Sequence, residues 1–236
     1  GYTGTFSPFG VEGDDGSVAL SFTGTPSVSG TAGAVGTKYT WSNVGTAESV
    51  TIKAVIEIIS KTGGASLEAI DQSTYGSADA WQPIVNGSNT NGNCWAMEFR
   101  VRFYNASTNA RLTLTSFKAQ GIDIDGDDEF IREYNRFDKL SEYSVESNTY
   151  LTTTFSSGNY TFKGPTTAED GIDLTKTQYN VTCLYANTDS MNIVLGGCCD
   201  GGDCATFYNT RLHSINFHNA VTYIAPVPVE MIYFKG

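Results

Sequence analysis

The chain holds only two histidines and three methionines in 236 residues, and it lacks any apolar run near 18 residues. A membrane-spanning helix needs such a run, so none is expected. No stretch carries a convincing 3.6-residue period; at best 138–146 is a short helical turn. Without helices there are no crossover connections, which excludes an α/β plan. No internal repeat is visible, and that weighs against propellers and solenoids. Basic residues are also scarce. Fourteen Lys+Arg against 25 Asp+Glu give a net charge of −11, so a polyanion is repelled and nucleic acid is a poor partner. The histidines, His213 and His218, fall on opposite faces of the alternating segment 211–218, and no serine sits in a nucleophile-elbow context. No catalytic residue is assigned. Carboxylate pairs for glycoside hydrolysis assemble in space, and sequence does not show them.

What is present is strand-like. Hydrophobic residues at 40%, with 12% aromatic, suffice for a core, and 25 glycines among many Thr, Ser and Asn suit short strands joined by turns. Val50, Ile52, Ala54, Ile56 and Ile58 alternate onto one face, as do Met97, Phe99, Val101 and Phe103. Further strands are predicted at 17–22, 37–42, 110–118, 128–136, 149–155, 158–163, 178–185, 190–195, 205–218 and 227–234. The expected fold is all-β: an antiparallel β-sandwich, immunoglobulin-like, with an extended N-terminal arm. The expected division is an arm at 1–16, a sandwich at 17–224 and a C-terminal strand at 225–236. Numbering begins at Gly1 without a methionine, for which a processed start is the simplest account.

Five cysteines fit an oxidising compartment. Cys204 is expected to pair with Cys198 or Cys199 across a Gly-Gly turn. Cys94 should pair with one of the remaining cysteines, most simply Cys183, and the odd count leaves one thiol over. A zinc site is disfavoured, because no second Cys pair or His stands at ligand spacing.

The densest carboxylate cluster is Asp123-Ile124-Asp125-Gly126-Asp127-Asp128-Glu129. Asp123, Asp125 and Asp127 alternate and could converge on a calcium ion, although the glycine position and Tyr134 depart from an EF-hand. The competing reading is an acidic turn between strands. Trp41 and Trp95 read as core, whereas Trp81, in a loop-like stretch, is the candidate for an exposed sugar-stacking ring.

In the arm, Tyr2, Gly4 and Phe6 share one face. Such a strand either pairs within its own sheet or is donated to a neighbouring copy, which would propagate into a filament.

The last residues, Ala225-Pro226-Val227-Pro228-Val229-Glu230-Met231-Ile232-Tyr233-Phe234, resemble a segment common in Bacteroidota proteins exported by the type IX system, with Met231 in place of the usual Leu. Tyr39-Thr40-Trp41-Ser42-Asn43-Val44-Gly45-Thr46 and Asp123-Ile124-Asp125-Gly126 are similar to parts of secreted bacterial β-sandwich domains. The resemblance implies a secreted surface protein and, at Asp189-Ser190-Met191, an O-linked sugar on Ser190. The leading functional expectation is a structural subunit of an extracellular fibre or surface layer, with copies of itself as partners. The alternative is a secreted adhesin or carbohydrate-binding module that takes surface glycans. A hydrolase comes third.

Overall fold

The computed structural model describes residues 16–87, 93–201, 204, 209–218, 220 and 223, and the backbone at 227–228. The expected arm residues Tyr2, Gly4 and Phe6, and the C-terminal residues 229–236, lie outside the described residues. In chain order the first strands are β1 (Ser27–Ser29), β2 (Lys38–Ala47), β3 (Val50–Thr62), β4 (Ser66–Ala69), β5 (Ile84–Asn86), β6 (Cys94–Asn105), β7 (Leu114–Ile122) and β8 (Ile131–Asp138). They are followed by β9 (Glu142–Ser144), β10 (Thr152–Ser156), β11 (Asn159–Lys163), β12 (Val181–Thr188), β13 (Ser190–Cys199), β14 (Thr210–Leu212), β15 (Ser214–Asn216) and β16 (Val227–Pro228).

These strands form an antiparallel β-sandwich. One sheet runs β1-β2-β3-β6-β13-β8-β11-β10 and a second runs β15-β7-β12-β9-β16. A small third sheet runs β14-β5-β4. Alternation decides which faces meet. Ile52, Ala54, Ile56 and Ile58 of β3, and Met97, Phe99, Val101 and Phe103 of β6, are all buried. The intervening polar residues turn outward, where Arg102 of β6 pairs with Glu57 of β3 at 2.9 Å. Aromatic edges lock the two main sheets together: Phe103 meets Phe117 of β7 at 5.1 Å, and Phe162 of β11 meets Tyr143 of β9 at 5.1 Å. Edge-to-face rings at such distances add attraction beyond the area they bury.

Several expectations are corrected. Residues 17–22 alternate as expected, with Leu20 and Phe22 fully buried, yet they form no strand. Their amides donate instead to four separate carbonyls, those of Ser116, Phe217, Val44 and Asp79, so no single neighbour supplies a ladder. The expected helical turn at 138–146 contains β9, because Thr182, Cys183 and Leu184 of β12 pair with Ser144, Tyr143 and Glu142. Trp81 is fully buried rather than exposed. Its indole N–H donates to the Ile70 carbonyl at 2.7 Å, and its ring meets Phe99 edge-on at 5.1 Å. Trp41 and Trp95 are core, as expected.

The disulfides are Cys199–Cys204 and Cys94–Cys198, and Cys183 is a buried free thiol. The first answers the expectation for Cys204. The second joins Cys94 to one of the remaining cysteines, as expected, but corrects the preferred partner from Cys183 to Cys198, for a reason of register. Antiparallel pairing of β6 with β13 sets Cys198 directly opposite Cys94, with their Cα atoms 4.0 Å apart. Cys183 belongs to β12 of the other sheet, opposite Ala119 and Tyr143.

Candidate functional site

The aspartate cluster is a folded turn at the end of the sandwich, and glycines set how closely it is covered. A Cβ on Gly126 would come within 2.1 Å of the Thr166 carbonyl oxygen, and one on Gly164 within 2.2 Å of the Ile124 oxygen. Only glycine permits backbones that close. The loop after β11 is therefore laid directly on the turn. Gly126 N–H donates to Thr167 O at 2.9 Å, Asp128 N–H to Thr166 O at 2.7 Å, and Gly164 N–H to Glu133 O at 2.9 Å.

The three predicted metal-ligating aspartates do different work. Asp127 caps its own turn, its Oδ1 accepting the amides of Glu129, Phe130 and Ile131 at 2.9, 2.8 and 2.8 Å. Asp125 accepts the Glu169 amide on one oxygen and the Arg211 guanidinium on the other, each at 2.7 Å. Asp123, at a left-handed φ of 60°, is 6% exposed, and its Oδ1 is buried without a hydrogen-bond partner. Among the described residues, no three His, Cys, Asp or Glu side chains assemble into a group that could hold a metal ion. Of the three, Asp125 meets a cation, the Arg211 guanidinium.

Arg211 comes from β14 of the small sheet and was not singled out in the sequence. Its Nε donates to the buried carboxylate of Glu133, while its Nη2 donates to Asp125 and to the Gly126 carbonyl at 2.6 Å. Behind it lies His213, buried, with its Nδ1 3.6 Å from the second Glu133 oxygen. Around this floor a cleft of about 190 Å³ opens between Asp123, Asp125, Glu133, Glu169, Ile172 and Arg211.

Electrostatics follow from burial. Desolvation, aided by the neighbouring Asp125 and Glu133, pushes Asp123 up to about 9. Burial lifts Glu133 to about 8 and Asp125 to about 6, with Arg211 opposing both. Burial would also weaken the charge on Arg211, but Glu133 and Asp125 outweigh it and the guanidinium stays cationic. Burial and Arg211 together bring His213 down to about 3, so its ring is neutral. At the outer wall, Glu169 is held below its usual range by the hydrogen bond from Lys176, whose Nζ lies 2.8 Å away.

A pH dependence follows. Folded Asp123 keeps its proton up to about pH 9, whereas the unfolded chain loses it near 3.8. Between those values the folded state binds more protons, so stability falls as pH rises. Asp123→Asn is expected to flatten that fall by about 1.4 kcal/mol per pH unit, the worth of one proton. Urea midpoints of both proteins at neutral and mildly alkaline pH check this; parallel curves would contradict it.

Two exposed rings connect to cleft residues through one neighbour each. Tyr150, 57% exposed, lies 5.2 Å from the Tyr179 ring, and the Tyr179 hydroxyl donates to Glu169. Tyr75, 64% exposed, precedes Gly76, which abuts the cleft residue Ile172. Sequence reading missed both tyrosines, because neither has an alternating apolar context to mark it as exposed by design. The glycosylation candidate Ser190 is half-buried at the start of β13 and donates to Asp189 at 3.2 Å. Asp189 in turn pairs with Arg111 at 2.6 Å.

No protein-family model matches the sequence, and no well-characterised protein matches it by sequence. Solved structures do match by fold. The chain is similar to the N-terminal domain of the Streptococcus gordonii adhesin Sgo0707, with a TM-score of 0.50 and 11% identity over 77% of this chain and 48% of that one. It is also similar to the adhesin domain of PrgB from Enterococcus faecalis, with a TM-score of 0.51 and 11% identity over 78% of this chain and 64% of that one. This chain thus spans about half to just under two thirds of the length of those structures. At 11% identity the likeness is one of fold.

Proposed function

We propose that this chain is a domain of a secreted, cell-surface adhesin and that it takes a surface carbohydrate in the cleft over Asp123 and Arg211. One observation carries the reading: a cleft with room for a single sugar ring has a fixed polar floor and an unpartnered buried carboxyl oxygen, and the exposed Tyr150 and Tyr75 each connect to a lining residue through one neighbour. A few fixed polar groups orient a sugar's hydroxyls while ring faces stack on its C–H surface. Two supports come from elsewhere in the molecule. The fold is shared with adhesin domains, and two disulfides suit an oxidising exterior. Among the described residues no helix is long and apolar enough to cross a membrane. The adhesin reading is preferred to the fibre subunit, whose key residues Tyr2, Gly4 and Phe6 lie outside the described structure.

The test is a glycan array probed with the purified domain, followed by affinities for the strongest hit. Tyr150→Ala is expected to weaken that hit about tenfold, the worth of one good stacked ring. Tyr150 is exposed, so the variant should melt with the parent. If no glycan binds, or the hits ignore Tyr150 and Asp123, the reading fails.

A further inference from the structure

The cleft floor has more carboxyl groups than cations. Asp123, Asp125 and Glu133 converge on it, and Arg211 is the one cation among the lining residues. Its Nε is engaged by Glu133, and its Nη2 by Asp125 and the Gly126 carbonyl. Lys176, the next cation along the wall, is held by Glu169 at 2.8 Å. Asp123 is left over: it lines the cleft, it is 6% exposed, and its Oδ1 meets no donor. An unmatched buried carboxyl oxygen calls for a partner from outside, and a cationic donor is the kind that holds Asp123 as a carboxylate.

We propose that the cleft binds the primary ammonium group of an unacetylated amino sugar, with Asp123 as the group that receives it. The proposal rests on the reading of the cleft as a carbohydrate site and deepens it. A divalent metal fits the same charge poorly, because calcium asks for six to eight oxygens. Both Asp125 oxygens are occupied, by Glu169 N–H and Arg211, and Asp127 Oδ1 is held by three amides. Two buried carboxyl oxygens of the turn lack a hydrogen-bond partner, Asp123 Oδ1 and Asp127 Oδ2, and of these two residues Asp123 lines the cleft. An ammonium needs only three acceptors and carries one charge. Uronic and sialic acids are disfavoured, since their carboxylates would meet a floor already rich in acids. Beyond the lining residues, Tyr75 and Tyr150 offer exposed rings to a sugar chain long enough to reach past Ile172 and Glu169.

Proton accounting gives the proposal a signature beyond affinity. Free Asp123 holds its proton well above the ordinary carboxyl range. When an ammonium arrives, the ion pair forms with Asp123 as carboxylate and its proton passes to the buffer.

The experiment is calorimetric titration of the whole chain with a fully deacetylated glucosamine oligomer and with its N-acetylated counterpart, at neutral pH, in two buffers of different ionisation enthalpy. The deacetylated oligomer should bind at least about tenfold tighter, with a buffer-dependent heat that reports proton release. Asp123→Asn should remove both the preference and the proton release while retaining weak binding of both oligomers. Its melting curve at acidic pH, where Asp123 is protonated in the parent, checks that it folds. Equal or tighter binding of the acetylated oligomer overturns the proposal, and so does a preference that survives Asp123→Asn. If the acetylated oligomer binds and Tyr150→Ala weakens it, the carbohydrate reading stands while the amino-sugar assignment falls. Failure of both oligomers to bind overturns the assignment, and the glycan array then decides the broader reading independently. Calcium alone, if it raises the melting temperature of the parent but not of Asp123→Asn, also overturns the ammonium in favour of a metal.

Discussion

Arg211→Met is expected to lower the unfolding free energy by about 3–5 kcal/mol, the range for a buried ion pair that loses one partner. The guanidinium holds two buried carboxylates at once, Asp125 and Glu133, at side-chain exposures of 3% and 4%. Without it both must stay charged and unpaired or take up protons. The loss should therefore be larger at pH 8 than at pH 5, where protonation neutralises the two acids cheaply. Arg211→Lys should recover only part, because a single ammonium cannot reproduce the fork that spans Glu133, Asp125 and the Gly126 carbonyl. Adding Glu133→Gln to Arg211→Met should recover more, by removing the deeper of the stranded charges. Urea unfolding of the three variants at both pH values measures these differences. A loss below about 1 kcal/mol for Arg211→Met at pH 8 would mean that the pair breaks even against its desolvation.

The second large effect concerns the cross-strand disulfide. Cys94 and Cys198 are 104 residues apart, whereas Cys199 and Cys204 are separated by five. Closing a loop of about 100 residues removes roughly 4.7 kcal/mol of unfolded-chain entropy, against roughly 2 kcal/mol for the short one. The double variant Cys94→Ala/Cys198→Ala should thus be destabilised about twice as much as Cys199→Ala/Cys204→Ala. Thiol counting should find no reactive thiol in the native protein and one, Cys183, after denaturation without reductant. Equal losses from the two double variants would show that native packing at β13 outweighs loop closure. A reactive thiol in the native protein would place Cys183 outside the core.

The pH behaviour and the amino-sugar proposal are linked through Asp123. A carboxyl kept protonated by burial weakens the fold as pH rises, and a cationic ligand that ionises it should offset part of that loss. The structural arrangement that costs stability is then the same one that provides specificity.

Much of the fold was legible in period-2 alternation. A strand with one buried face must place apolar residues two apart, and the runs 50–58 and 97–103 did so and proved to be the central strands β3 and β6. Although the choice of Cys199 fell to the fold, local spacing was also enough to tie Cys204 to Cys198 or Cys199, because a separation of five or six across a turn brings the partners together. It located the acidic turn as well, since the density of Asp and Gly at 123–129 is a property of the sequence alone. Tertiary structure decided what those residues do. Arg211 reaches Asp125 from 86 positions away and Glu133 from 78, and only the pairing of β14 with β5 brings it there. The same holds for Cys94, whose partner was chosen by the register of β6 against β13 rather than by composition. Trp81 sits in a loop by its sequence, yet the hydrogen bond to Ile70 and the edge of Phe99 draw it into the core. Alternation reports which face of a strand is buried; it carries no information about which distant strand will cover that face, and the cleft forms only where such distant meetings set Arg211 and Glu169 against the acidic turn.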